Sequence, residues 1–155
     1  MKTNQLNRLL RLLIALFIVS LPQLIKAQNV KPGINHVAIC ANDLKKSTAF
    51  YRDVLELKQI PHPFKDTVHT WFSIGPDIQL HIIGAKCPAV AHDINTHLCF
   101  NVGSLADFMK HLDQYNIKYG DWGGTYKKVQ TRADGVHQIY FQDPDGYWIE
   151  INDAK

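Results

Sequence analysis

Four side chains of the types that bind transition metals recur at matched places in the sequence. Each lies in a short apolar segment with the character of a β-strand: His36, His81, His97 and Glu150. A leucine follows the first and third of these residues by eight positions, and a phenylalanine precedes the second and fourth by nine. The sequence therefore contains two copies of one unit, and both copies carry side chains of metal-binding types at equivalent positions. Imidazole and carboxylate groups suit a divalent metal such as zinc, nickel, iron or manganese.

Side-chain alternation predicts the face on which these groups lie, because successive residues of a strand point to opposite faces. The isoleucines beside Glu150 form an aliphatic face that should pack on helices, whereas Trp148 shares the face of Glu150. On the preceding strand, Gln138 and Tyr140 alternate onto the same mixed face. We therefore predict a cavity in which Gln138, Tyr140 and Trp148 contact a substrate. Glu150 and Tyr140 are the predicted catalytic residues, with Glu150 moving a proton.

Caps, turns and apolar periodicity predict two copies of one βαβββ unit. Two helices begin at the capping residues Asp43 and Ser104, and the first runs to about Leu55. Strands are predicted at residues 34–40, 57–60, 68–74, 78–83, 97–102, 117–122, 136–142 and 147–152. The modules span about 34–84 and 95–153, and the predicted fold class is α+β.

The first 27 residues have the pattern of a secretory signal peptide. Lys2, Arg8 and Arg11 precede an apolar run of ten residues from Leu12 to Leu21, and Ala27 offers a small residue for cleavage. This run is shorter than the roughly 20 residues that span a bilayer. We predict export to the periplasm or secretion, with no membrane contact in the mature form. An uncleaved membrane anchor is the alternative.

The charge of the chain gives no support to nucleic-acid binding. The formal net charge of +3 comes from 17 basic and 14 acidic residues. Removal of residues 1–27 takes away four basic residues and no acidic one, which leaves 13 against 14, a net charge of −1. A polar loop at 123–135 carries Lys127, Lys128 and Arg132. We interpret the loop as a solvated surface, with a clamp for an anionic substrate as the alternative.

The three cysteines allow two interpretations. Cys40 and Cys99 follow strand histidines by even steps, so they should share the histidines' faces as small buried side chains that line the cavity. An exported protein could also join two of Cys40, Cys87 and Cys99 in a disulfide, and their spacing does not assign the pair.

Three segments add a resemblance to these patterns. They are N-H-V-A-I at 35–39, F-Y-R-D-V-L-E-L at 50–57 and D-P-D-G-Y-W-I-E-I at 143–151. Together they resemble the vicinal oxygen chelate superfamily, which includes glyoxalase I, bleomycin-resistance proteins, fosfomycin-resistance transferases and extradiol dioxygenases. The resemblance covers about residues 34–153, the predicted glyoxalase-like domain.

The resemblance implies two modules whose curled sheets surround a shared metal cavity. It places His36 at the first-strand ligand, His97 at the fifth-strand histidine and Glu150 at the eighth-strand glutamate. His81 stands where glyoxalase I has a glutamate. The implied activity is that of a metal-dependent lyase or isomerase on a small oxygen-chelating substrate. A homodimer in which two chains share each site is as consistent with the linker as a monomer.

Two other functions are consistent with the resemblance. Two histidines and a glutamate are the ligands of a metal-dependent dioxygenase. Bleomycin-resistance members instead sequester a small antibiotic without metal. Tyr140 falls where fosfomycin-resistance proteins have a cavity tyrosine, although Ala38 replaces their threonine.

Overall fold

Strand pairing divides the described chain into two four-stranded sheets of the same design. The computed structural model describes residues 31–155, so the predicted signal peptide at 1–27 lies outside them. The first sheet contains β1 (His36–Ala41), β2 (Lys58–Ile60), β3 (His69–Ser73) and β4 (Gln79–Gly84), in the order β1-β4-β3-β2. The second contains β5 (His97–Asn101), β6 (Gln130–Thr131), β7 (His137–Gln142) and β8 (Trp148–Asn152), in the order β5-β8-β7-β6. The predicted α+β fold of two βαβββ modules with open, curled sheets is confirmed.

Each sheet combines one parallel pair with antiparallel pairs. The first strand of each module lies parallel to the fourth, β1 beside β4 and β5 beside β8. The remaining neighbours are antiparallel. Parallel strands cannot be joined by a tight hairpin, so the chain must cross over between the first and fourth strands, and the helix of each module is part of this crossover. The predicted ligands therefore lie on neighbouring strands within each sheet.

Both helices begin at the predicted caps. The Asp43 carboxylate accepts a hydrogen bond from the Lys46 N–H at the start of α1 (Leu44–Ala49), and the Ser104 hydroxyl accepts one from the Asp107 N–H at the start of α2 (Leu105–Gln114). The first helix continues as a wider π-helical turn from Phe50 to Val54 instead of running as one α-helix to about Leu55. Within residues 31–155, neither helix is long and apolar enough to cross a membrane.

The aliphatic faces of both sheets pack into one core. Ile139, Ile149 and Ile151 of the second sheet and Leu80 and Ile82 of the first are fully or almost fully buried. The helices fill the space between the sheets, with the ring of Phe50 lying 6.3 Å from that of Phe141. The two modules therefore pack through their helix-facing sides, and their other sheet faces carry the polar residues.

The tight turn between β7 and β8 also ties the modules together. Gly146 has a φ of 90°, a conformation that glycine adopts without strain. The Tyr51 hydroxyl donates to the buried Asp143 carboxylate at 2.8 Å, and the Ser47 hydroxyl donates to Asp145 at 2.6 Å. Asp143 and Asp145 are therefore structural residues of the turn.

The structure confirms the disulfide alternative for two of the three cysteines. Cys40 is bonded to Cys87 across 47 positions of the chain, which ties the end of β1 to the linker between the modules. Among residues 31–155, Cys99 is the cysteine without a disulfide, and it is exposed. The expectation that Cys99 is a buried side chain was wrong, because it lies on the open polar face of the sheet rather than in the core.

The predicted strand at 117–122 was also wrong. In this segment only Gly120 forms isolated bridges, to Tyr126 and to Tyr140. The loop folds back so closely that a Cβ on Gly120 would lie 2.4 Å from the carbonyl oxygen of Thr125. The short strand β6 takes the edge position beside β7 instead.

Candidate metal centre

The second sheet brings one histidine and one carboxylate together. His97 on β5 and Glu150 on β8 approach within 3.2 Å, measured from Nε2 to Oε2. Two ligand atoms at about 2.1 Å from one ion, at an angle of 90–110°, lie about 3.0–3.4 Å apart. The observed separation therefore suits two ligands of the same metal ion.

Hydrogen bonds hold both oxygens of Glu150 in place. The Tyr140 hydroxyl donates to Oε2 at 2.7 Å. The Asn152 amide donates to Oε1 at 2.8 Å, and the Cys99 thiol approaches the same oxygen at 3.2 Å. The Gln138 amide donates in turn to the Tyr140 hydroxyl at 2.7 Å. This network fixes the direction in which Glu150 presents its carboxylate.

The protonation of this network follows from its contacts. Burial opposes ionisation of Glu150, but hydrogen bonds from Tyr140, Asn152 and Cys99 outweigh it and lower the pKa of the carboxyl. Although the residue as a whole is exposed, partial loss of solvent around its sulfur and the Glu150 contact raise the pKa of the Cys99 thiol to about 12. The same causes raise the pKa of Tyr140. The site is therefore an ionised carboxylate surrounded by protonated donors.

Two of the histidines are oriented in the same way. His97 Nδ1 lies 2.7 Å from the Ile94 carbonyl oxygen, and His36 Nδ1 lies 2.8 Å from Asn35 Oδ1. Because each partner is an acceptor, Nδ1 carries the proton and Nε2 is left to bind a metal. Metal-binding histidines are usually fixed by such a second hydrogen bond. The donor set of His36, His97 and Glu150 therefore fits a divalent transition metal.

The first sheet holds its two predicted ligands in a stack. The rings of His36 and His81 lie face to face, with centroids 4.3 Å apart and planes at 11°. The Trp71 indole covers the other side of His81 at 3.8 Å and 6°. His81 Nε2 lies 2.9 Å from Gln79 Oε1. Burial, followed by the nearby His36 and His69, lowers the pKa of His81.

The four predicted ligands thus form two pairs, one on each sheet. Within residues 31–155 of one chain, no group of three or more His, Cys, Asp and Glu side chains could hold a metal ion. The structure joins His36 to His81 and His97 to Glu150. That all four share one ion stays a prediction.

Two of the predicted substrate contacts lie beside Glu150, whereas the Trp148 indole N–H donates to the His92 carbonyl oxygen at 3.0 Å. Gln138 and Tyr140 are buried, and their side chains belong to the Glu150 network. Within the described part of the chain, Gln138 Oε1 is a buried acceptor without a hydrogen-bond partner. Tyr140 and Trp148 line a cavity of about 690 Å³, whose lining includes neither Gln138 nor Glu150. The Trp122 ring stands nearly perpendicular to that of Tyr140 at 5.5 Å.

Several neighbours of the site were not predicted as site residues. Asn152 and Cys99 contact Glu150, and Trp71 covers His81. The alternation had placed Cys99 and Asn152 on the correct face. The contact of Trp71 depends on its register opposite His81 across β3 and β4, which the sequence does not give.

Each basic side chain of the polar loop pairs with an aspartate. Lys127 pairs with Asp113, Lys128 with Asp121 and Arg132 with Asp134. The three basic side chains are well exposed, so these pairs agree with the interpretation of a solvated surface.

Comparison with known proteins identifies the family. Residues 33–151 match the model of the Glyoxalase/Bleomycin resistance protein/Dioxygenase superfamily, and the chain belongs to it. "Glyoxylase I 4" of Arabidopsis thaliana is 27% identical over 125 residues, which cover 77% of this chain and 69% of the relative. "Metallothiol transferase FosB" of Bacillus licheniformis is 30% identical over 127 residues, covering 77% and 74%. The solved structure of "Oxidase ChaP-H1" is 25% identical, with a TM-score of 0.65 over 81% of this chain and 98% of that one.

Proposed function

We propose that this protein is an exported metal-dependent lyase or isomerase that acts on a small substrate with two adjacent oxygens. The observation that carries the proposal is the approach of His97 Nε2 to Glu150 Oε2 at 3.2 Å, a separation suited to one shared ion. Membership of a superfamily that contains glyoxalase-type and Fos-type relatives supports it.

The metal would be held by His36, His97 and Glu150, with His81 as the fourth ligand predicted from the sequence. Zinc, nickel, iron and manganese all accept imidazole and carboxylate ligands. When bound, the metal supplies a Lewis acid that polarises the substrate's oxygens. The substrate class follows from this chemistry, as an α-keto or α-hydroxy carbonyl compound offers two oxygens at chelating distance.

The chain's own groups then position the substrate and move the proton. Tyr140 keeps its hydroxyl proton because its pKa is raised, so the hydroxyl can donate to Glu150 or to a substrate oxygen. The unpartnered Oε1 of Gln138 can accept from a substrate hydroxyl. Glu150 is the carboxylate placed to act as a base, and it would have to loosen from the metal to do so.

Two copies of the chain would complete each site. The ligand pairs lie on separate sheets, and the modules of one chain share a single core through their helix-facing sides. A homodimer that sets the His36 face of one chain against the Glu150 face of the other would bring the pairs together. A two-fold axis makes two such sites, because each contact is repeated by symmetry.

Export is supported by the signal-peptide pattern and by the Cys40–Cys87 disulfide, which suits an oxidising compartment. The mass of the intact protein recovered from the exporting host tests it. The proposal expects a chain that begins after Ala27, and a full-length chain retained in the cell would contradict it.

The donor set also supports a second candidate, a metal-dependent dioxygenase. Two histidines and one carboxylate with open positions are the ligands of many non-haem Fe(II) oxygenases. A structural neighbour named as an oxidase adds weight to this candidate.

Metal analysis followed by two substrate assays tests the proposal. The purified protein should contain about one divalent ion per chain, and His97→Ala should lose it. Protein loaded with nickel or zinc should then convert a hemithioacetal. Turnover of a catechol with oxygen uptake by the iron-loaded form would favour the dioxygenase. Absence of metal in the unaltered protein, with tight binding of an apolar drug, would instead indicate sequestration.

A further inference from the structure

The stack of His36 and His81 is difficult to combine with one metal bound by both rings. A metal ion lies in the plane of a coordinating imidazole, about 2.0–2.1 Å from its nitrogen. The two rings are nearly parallel and face each other at 4.3 Å. An ion in the plane of the His36 ring would therefore lie to one side of the His81 plane, out of line with the His81 nitrogens.

The hydrogen bonds of the histidines support the same conclusion about His81. His36 and His97 each use Nδ1 to contact an acceptor, which leaves Nε2 available. His81 uses the opposite ring nitrogen, because its Nε2 contacts Gln79 Oε1 at 2.9 Å. Trp71 covers the remaining face of His81 at 3.8 Å, so tilting this ring out of its plane would break the stack, and a 180° flip would break the hydrogen bond.

We propose that His81 does not coordinate the metal but positions the ring of His36, as the middle layer of a His36–His81–Trp71 stack. This inference rests on the proposed metal centre and corrects its fourth ligand. Three protein ligands, His36, His97 and Glu150, then hold the ion. More coordination positions stay open for the two oxygens of a chelating substrate than four protein ligands would allow.

Phenylalanine variants separate a ligand from a stacking ring, because phenylalanine keeps the aromatic face and removes both nitrogens. Zn²⁺ affinity is measured for the unaltered dimer, His81→Phe, His81→Ala and the matched variant His36→Phe. His81→Phe should bind within about threefold of the unaltered protein, whereas His81→Ala should bind about tenfold more weakly, as expected for loss of an outer support. His36→Phe should bind more than about 100-fold more weakly, because it removes a ligand.

The coordinated histidines can also be counted by spectroscopy on the unaltered protein, so this test does not depend on whether a variant folds. Pulsed electron paramagnetic resonance of the Cu²⁺-loaded dimer should detect two coordinated histidines, and His81→Phe should give the same count. Three coordinated histidines, or a His81→Phe variant as weak as His36→Phe, would overturn the inference. So would His81→Ala binding as tightly as the unaltered protein, since the stack would then support nothing. Absence of Zn²⁺ and Cu²⁺ binding by the unaltered protein would instead refute the metal centre itself.

Discussion

At the scale of single residues, the proposed metal centre depends on which ligand atoms already take part in hydrogen bonds. Glu150 accepts hydrogen bonds at both oxygens, yet its Oε2 still lies 3.2 Å from His97 Nε2. The donors around it stay protonated, because loss of solvent around the hydroxyl and the thiol group, together with the carboxylate, raises the pKa values of Tyr140 and Cys99. The negative charge is therefore concentrated on one carboxylate.

Glu150→Gln should weaken metal binding by at least about tenfold. The amide lacks the negative charge of the carboxylate, and its N–H groups would face the hydrogen-bond donors that now surround Glu150. Glu56→Gln is the matched control, because it makes the same change at an exposed position. Equilibrium dialysis against Zn²⁺ measures both affinities. Equal affinities in the two variants would remove Glu150 from the ligand set.

Tyr140→Phe should retain metal but lose turnover and stability. The substitution removes the donor to Glu150 and the acceptor for the Gln138 amide, both buried, so unfolding should become easier by about 1–3 kcal/mol. Denaturant melts and kcat measurements test this, with Tyr126→Phe as the control because Tyr126 is 61% exposed. An unchanged kcat would show that the hydroxyl has no part in the reaction.

Alternation along the strands predicted which side chains face the site but not which of them touch. Gln138, Tyr140 and Glu150 were placed on one face by parity, and they do form one network. The stack of Trp71 on His81 joins residues ten positions apart across two strands. Such contacts depend on strand register and on ring orientation, neither of which alternation determines.

At the scale of elements, the turn after β7 reverses the chain and also connects the second module to the first. Asp143 is buried, and burial raises its pKa although Tyr51 and backbone N–H groups donate to it. The turn thus uses its carboxylates to attach the second module to the helix of the first.

Tyr51→Phe should lower the free energy of unfolding by about 1–3 kcal/mol, because it leaves the buried Asp143 with one donor fewer. Tyr115→Phe is a suitable control, since Tyr115 is 45% exposed. Urea denaturation followed by circular dichroism measures both. If the two variants were equally stable, the Tyr51–Asp143 contact would contribute nothing to joining the modules.

The disulfide should be a substantial source of stability. Loss of a cross-link that closes 47 positions costs about 4 kcal/mol in the chain-entropy account. The double variant Cys40→Ser/Cys87→Ser should therefore unfold at a lower denaturant concentration. A reducing agent should bring the unaltered protein to the same midpoint and leave the variant unchanged. Equal midpoints without reductant would contradict this prediction.

Local signals predicted most of the elements, and long-range contacts decided the exceptions. Asp43 and Ser104 cap the helices as expected because capping involves only neighbouring residues. The segment 117–122 has the composition of a strand, but Gly120 is held between the loop at Tyr126 and strand β7. The π-helical turn from Phe50 to Val54, which the sequence did not predict, buries Phe50, Tyr51 and Val54 in the shared core.

At the scale of the whole molecule, the repeat places the two pairs of predicted ligands on separate sheets, and we propose that each pair is half of a metal site. The first pair is His36 with the supporting ring of His81, and the second is the proposed ligands His97 and Glu150. Because the modules pack through their helix-facing sides, the pairs stay on separate sheets. A second copy of the chain is the simplest partner, since its other half-site carries the missing ligands.

Complementation between two damaged chains tests this arrangement. His36→Ala removes a ligand from the first half-site, and His97→Ala removes one from the second. Each variant alone should bind no metal tightly. Unfolding them together and refolding should form mixed dimers, in which one site combines both damaged halves and the other combines both intact halves. Metal binding and turnover should therefore return in the mixture, at one site per mixed dimer.

Subunit exchange is essential to this result, so the same variants refolded separately and then combined briefly serve as the control. Sedimentation should show a dimer for every sample, and the co-refolded sample alone should contain metal. If each chain built a complete site by itself, co-refolding would restore nothing, because every chain would still lack one of its own ligands. Recovery of metal after co-refolding can arise only when the ligands of one ion come from two chains.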